Sequence, residues 1–179
     1  MDRHLDDWLD LVAEKNEAAF DHIYAETNHG VYAVIASLIR DRQIVEDLMQ
    51  DTYMKMLQRL HTYQKGRNFA AWLMQIAKNL AYDYLRKEST TSVLDPQEDT
   101  RVFDLKANDE PIDQPSLDLE KLLKGLDELE RQIVMMRIVS DTKFKDIADL
   151  TQKPLGTVLW IYQKAVKKMQ LSAGKEDSQ

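Results

Sequence analysis

Apolar residues recur at three- and four-residue steps along most of this chain, and each such run predicts an amphipathic helix. Trp8, Leu9, Leu11 and Val12 make the first run. Ala19, Phe20, Ile23 and Tyr24 make the second, behind Asn16, a residue type suited to capping a helix; Val31, Val34, Ile35, Leu38 and Ile39 make the third. Three short helices are therefore expected first. A longer helix is predicted from about Gln43, with Ile44, Leu48, Tyr53, Met56, Leu57 and Leu60 as its apolar positions, and a loop from Thr62 to Asn68 around Gly66 ends it. Phe69, Trp72, Leu73, Ile76, Leu80, Tyr84 and Leu85 then predict a strongly amphipathic helix from near Asn68 to about Lys87.

From Glu88 to Ser116 the periodicity stops, acids and prolines accumulate, and apolar residues thin out, which is the composition of a linker. Beyond it, Leu117, Leu119, Leu122, Leu123 and Leu126 predict a helix ending at Gly125, and Ile133, Val134, Met136, Ile138 and Val139 predict another. Phe144, Ile147, Ala148 and Leu150 predict a short helix capped by Asp141 or Thr142. After a turn at Thr151 to Lys153, Pro154 opens a last helix to about Leu171. Glycines and prolines fall between these runs or at their ends. The expected fold is all-α: two small helical domains, residues 1–87 and 117–179, joined by an acidic flexible linker at 88–116, with a helix-turn-helix in the second.

Composition removes several function classes. The 179 residues include no cysteine, so neither a disulfide framework nor a thiolate metal site is available. His4, His22, His29 and His61 stand alone, without a partner at ligand spacing, so no metal is expected. No glycine-rich phosphate loop and no nucleophile with an evident base is present; neither a cofactor nor catalysis is expected. The longest apolar stretch, Val31 to Ile39, is too short to span a bilayer, and Asp2, Asp6, Asp7 and Asp10 stand where a basic leader would be. A soluble cytoplasmic protein, not inserted in a membrane, is the expectation.

A net charge of −7 argues against nucleic acid only if charge is evenly spread, and here it is not. Between Thr52 and Lys87 lie Lys55, Arg59, Lys65, Arg67, Lys78, Arg86 and Lys87 against Asp83 alone. The linker is strongly acidic, and Lys153, Lys164, Lys167 and Lys168 follow on the last segment. A short helix, a tight turn and a longer helix with a basic end form the helix-turn-helix pattern, whose second helix enters the major groove of DNA. Antiparallel helix pairs in proteins that bind no DNA share that frame.

Three stretches, in order, decide further: Val45-Glu46-Asp47-Leu48-Met49-Gln50-Asp51-Thr52-Tyr53; Asn68 through Trp72, Lys78 and Asn79 to Arg86; and Pro154-Leu155-Gly156-Thr157-Val158. Together they resemble the extracytoplasmic-function group of bacterial sigma factors, which keep only the second and fourth conserved regions. The resemblance implies a transcription initiation factor that binds core RNA polymerase and promoter DNA, under the control of an anti-sigma factor.

It implies polymerase contacts at Asp47, Gln50 and Asp51, which share one helical face and suit pairing with arginines of a partner helix. It implies minus-ten DNA contacts at Lys65, Arg67, Asn68, Trp72, Lys78, Asn79 and Arg86, since holding unpaired bases needs cations for phosphates, aromatic faces and a side-chain amide. Asn79 stands at the family's flipped-base pocket, completed by the Thr62 to Asn68 loop. For the minus-thirty-five element the candidates are Lys153, Thr157, Gln163, Lys164 and Lys167.

Leu159, Trp160 and Ile161 depart from the family, which carries basic and small polar residues there, and Asp141 replaces its usual glycine. The Leu159-Trp160-Ile161 run has three readings: core, DNA-facing or protein-binding. It also favours an alternative, a sigma-like adaptor without promoter activity. A stand-alone helix-turn-helix regulator is another alternative, but leaves the Asp47 to Asp51 face without a purpose. The acidic linker either threads into the basic interior of the polymerase or is a solvated tether.

Overall fold

A computed structural model describes residues 3–92 and 122–176, and among these every regular element is helical. In chain order they are α1 (Arg3–Ala13), α2 (Glu17–Leu38), α3 (Arg42–Arg59), a 3-10 turn (Leu60–Thr62), α4 (Phe69–Ser92), α5 (Glu128–Ile138), α6 (Phe144–Thr151) and α7 (Leu155–Glu176). α4 continues past the expected end at Lys87. Most of the expected linker, residues 93–116, and Leu117 and Leu119 lie outside the described residues.

Local chemistry explains the helix starts. Asn16 Oδ1 accepts from the Ala19 N–H at 3.0 Å, and one Asp41 oxygen accepts from Gln43 and Ile44. Asn68 Oδ1 accepts from Ala71 N–H at 2.8 Å, and Asp127 and Glu130 form a reciprocal capping box at the start of α5.

The second and third predicted helices are one continuous helix of 22 residues, α2, running through Gly30. A Cβ at Gly30 would stand 3.2 Å from Met74 Sδ. The glycine therefore marks the place where α4 presses against α2, and that packing offsets its cost of about 1 kcal/mol within a helix.

α2 is the hub. It packs against α1, α3, α4 and α5, and its residues Ile23, Val31 and Ile35 are fully buried with Met56, Phe69 and Leu73. In the C-terminal half Leu123, Ile133, Met135, Ile147, Val158 and Ala165 are buried between α5, α6 and α7. The two halves touch: Arg131 Nη2 donates to Ala36 O at 3.1 Å, Gln132 Nε2 to the Tyr82 hydroxyl at 3.3 Å, and Lys78 Nζ to Leu150 O.

The expected cap of α6 is not made. Lys143 holds that position, without a side-chain cap, while the Thr142 hydroxyl bonds Ser140 and Asp141 pairs with Arg137 at 2.7 Å. In the turn between α5 and α6 Asp141 has φ 47, and its carboxylate is engaged by Arg137 instead of the α6 amides. Glycine adopts that conformation freely, whereas aspartate does so at a cost, though a smaller one than most residues. Asp141→Gly is therefore expected to stabilise the fold by about 0.5–1 kcal/mol, because the ion pair it removes is highly exposed and weak. A thermal melt that shifted downward would refute this.

Candidate functional site

α3 buries Val45, Leu48, Met49, Thr52, Tyr53 and Met56, which turns Asp47, Gln50 and Asp51 outward, all exposed. Asp47 Oδ1 accepts a local bond, from Gln43 Nε2 at 3.3 Å. One helical turn further on, Met54 and Leu57 continue that face, 58% and 41% exposed. Leu57 was expected in the core and is not. The period of α3 gives the reason: Tyr53 and Met56 take the inward positions, the former through a 2.9 Å hydroxyl bond to Thr27.

The Thr62 to Asn68 loop is held by acids of α1. The Tyr63 hydroxyl lies between Asp6 Oδ1, at 3.0 Å, and Arg67 O, while Gly66 N–H donates to Asp6 Oδ2 at 2.6 Å. Gly66 has φ 82, which glycine adopts without strain. Lys65 pairs with Asp10. These anchors were missed in the sequence, where the N-terminal aspartates carried no sign of their distant partner loop.

On α4, Phe69 is wholly buried and Trp72 half-buried, both packed against the Tyr63 ring at 5.2 and 5.4 Å. Asn68 is engaged in capping α4. Asn79 is exposed, its Oδ1 accepting from Gln75 Nε2 at 2.9 Å, and Arg86 is exposed beside Asp83. Lys65 and Arg67 are also exposed. Lys78 is turned elsewhere: its ammonium meets the α6 carbonyl of Leu150 and lies 5.7 Å from the Tyr82 ring centroid, and burial pushes its pKa down.

In the helix-turn-helix, α6 ends in the left-handed residue Gln152 and α7 follows Pro154. Lys153, Thr157, Gln163, Lys164 and Lys167 are all exposed, outside the buried stripe Val158, Ile161, Ala165 and Met169, with Gln163 and Lys167 on the far side of the helix from it. The apolar run divides accordingly: Ile161 is core, whereas Leu159 and Trp160 face outward.

Lys164 and Lys168 converge on Glu130, only 1% exposed, at 3.0 and 2.6 Å. Burial pushes the Glu130 carboxyl up, but hydrogen bonds from Lys168, Lys164 and the Asp127 backbone outweigh it and hold the pKa at about 2. Glu130 was missed in the sequence, where the Asp127-x-x-Glu130 spacing of a capping box is the signal that could have found it. No group of three or more His, Asp or Glu that could hold a metal occurs among the described residues, and no helix there is long and apolar enough to cross a membrane.

Residues 23–91 match the model of sigma-70 region 2, and residues 116–169 match that of sigma-70 region 4. The chain is 31% identical to RNA polymerase sigma factor CarQ of Myxococcus xanthus, over 74% of this chain and 76% of CarQ. It belongs to the sigma-70 family, as an extracytoplasmic-function sigma factor.

Sigma factor SigV of Bacillus subtilis is 26% identical over 82% of this chain and 86% of its own. Among solved structures, the sigma factor RpoE of Bartonella quintana, in complex with the anti-sigma factor NepR, matches with a TM-score of 0.69 and 25% identity, covering 87% of this chain and 96% of that one. The sigma factor is thus a non-enzymatic initiation subunit that directs RNA polymerase to promoters. α3, the Thr62 to Asn68 loop and α4 fall in the region 2 match, and α5 and α6 in that of region 4, with α7 as far as Met169.

Proposed function

We propose that the sigma factor grips core polymerase through Asp47, Gln50 and Asp51, with Met54 and Leu57 extending that face. It holds the opened minus-ten strand with Lys65, Arg67, Trp72, Asn79 and Arg86, and docks α7 on the minus-thirty-five element through Lys153, Thr157, Gln163 and Lys167. The observation that carries this reading is the row of exposed carboxylates and amide on α3, set outside a core that the same helix completes. The strand-opening step draws on binding energy alone, released as unpaired bases and phosphates find partners.

The two elements lie 25 base pairs apart by name, about 85 Å at 3.4 Å per pair. With Lys78 bonded to Leu150, the halves are too close to reach both. They separate on the promoter, which frees Lys78 for a phosphate; residues 93–121 can span at most about 100 Å. Control by an anti-sigma factor is part of the proposal, supported by the RpoE relative in complex with NepR. The protein works in the cytoplasm, where core polymerase is.

Asn79→Ala is expected to lower open-complex formation about tenfold while leaving core-polymerase affinity unchanged, since one amide that bonds a base edge is worth about 1–3 kcal/mol. Permanganate footprinting of the melted strand, beside a direct binding assay, checks both. Failure of the full chain to bind core polymerase would overturn the proposal. Binding without initiation at any sequence in a genome-wide run-off screen would make the chain an adaptor.

A further inference from the structure

We propose that α7 reads A·T pairs of the minus-thirty-five element, with Leu155, Leu159 and Trp160 contacting thymine 5-methyl groups. The inference rests on α7 being the DNA-reading helix. These three side chains are 45%, 38% and 61% exposed. At 3.6 residues per turn Leu159 and Trp160 share one side of the helix with Gly156 and Gln163, opposite the buried Val158, Ile161 and Ala165, and Leu155 lies at the edge of that side. The N-terminal part of the second helix is the part of a helix-turn-helix that meets base edges.

Two further observations point outward to a ligand. Gly156 is helical and a Cβ added there would meet nothing within 4 Å, so the fold itself does not require a glycine. The space beside Gly156 is open to a partner that approaches from outside. The Trp160 indole is also pre-oriented: Lys164 Nζ lies 5.5 Å from its ring centroid and is itself held by the buried Glu130 carboxylate. A large apolar side chain fixed at the surface, flanked by the exposed Lys153 and Lys167, suits a partner with an apolar spot between anionic walls.

The major groove offers one such spot. Its edges display hydrogen-bonding groups on every pair, and the thymine 5-methyl is its apolar feature. Leucine cannot hydrogen-bond a base edge, and tryptophan donates one bond only. Gln163, between them, has the amide that pairs bidentately with adenine N6 and N7, the other half of the same base pair. Apolar and polar members of the face therefore select the same pair.

The test begins with run-off transcription by core polymerase plus the full chain, which locates the promoter. Each thymine of the minus-thirty-five element is then replaced by deoxyuracil, which keeps base pairing and removes only the methyl. Transcription and holoenzyme binding are expected to fall about three- to fivefold at each contacted thymine, the worth of one buried methyl. With Leu159→Ala or Trp160→Ala the loss at the corresponding position should vanish, while circular dichroism melting stays unchanged because both residues are exposed.

Initiation that is indifferent to uracil, or equally sensitive in wild type and variants, would overturn the inference while leaving the sigma reading intact. Variants that initiate normally but lose a protein regulator would assign the face to that protein and overturn it too. Absence of initiation at any promoter would instead remove the reading on which it rests.

Discussion

Replacing Asp47 and Asp51 together with lysine is expected to weaken binding to core RNA polymerase by about 100-fold or more. Both carboxylates are exposed on one face of α3, one turn apart, so an arginine-bearing partner helix can engage them at once. Losing one partner of a desolvated charged pair costs about 2–5 kcal/mol, and the reversed sign adds repulsion. Neither carboxylate belongs to the buried core, so the melting temperature should move by no more than about 1–2 °C. Interferometry with immobilised core polymerase, alongside a melt of the isolated chain, separates the two effects. An affinity within threefold of wild type would remove this face from the polymerase contact.

Glu130→Ala is expected to destabilise the C-terminal half by about 2–3 kcal/mol, through loss of the charged capping bond and both lysine pairs. For a chain of this size that is a fall of roughly 5–10 °C in Tm. Glu130→Gln should cost less, because its amide oxygen can still accept from the Asp127 N–H.

The two variants also differ from wild type in acid. With its folded pKa at about 2, below the ordinary 4.5, the carboxyl takes up its proton more readily unfolded than folded. Its contribution is therefore whole above about pH 5, is lost as pH falls through 4.5 towards 2, and is absent in Glu130→Gln throughout. Urea titrations from pH 6 to pH 2.5 should show the wild-type advantage over Glu130→Gln shrinking; a constant difference would contradict the pairing.

The consequence for function lies in α7. Lys164 was selected from the sequence as a DNA contact, yet its ammonium is bound to Glu130 and set against Trp160. Its charge is thereby held beside Trp160, at a place that Glu130 fixes. Lys78 is a parallel case, selected for the minus-ten strand but meeting α6 here. In both, a cation is identifiable by residue type, whereas its partner is decided by a helix more than thirty residues away.

Much was determined by the sequence alone. Helical periodicity located the helices and the helix-turn-helix because burial on one face demands that spacing, and Asn16, Asn68 and Asp127 cap because their short side chains reach the first amides. The Asp47, Gln50 and Asp51 face and the exposure of Asn79 follow from the same local geometry.

Tertiary structure alone decided what depends on a distant neighbour. Gly30, which lies between two predicted helices, is a close-packing point for Met74 inside one helix, and the N-terminal aspartates anchor a loop some sixty residues on. The run Leu159-Trp160-Ile161 became one core residue and two outward-facing ones when α7 docked against α5 and α6. Periodicity ranks faces by polarity, and α7 carries apolar residues on both; only packing settles which face is covered and which stays exposed.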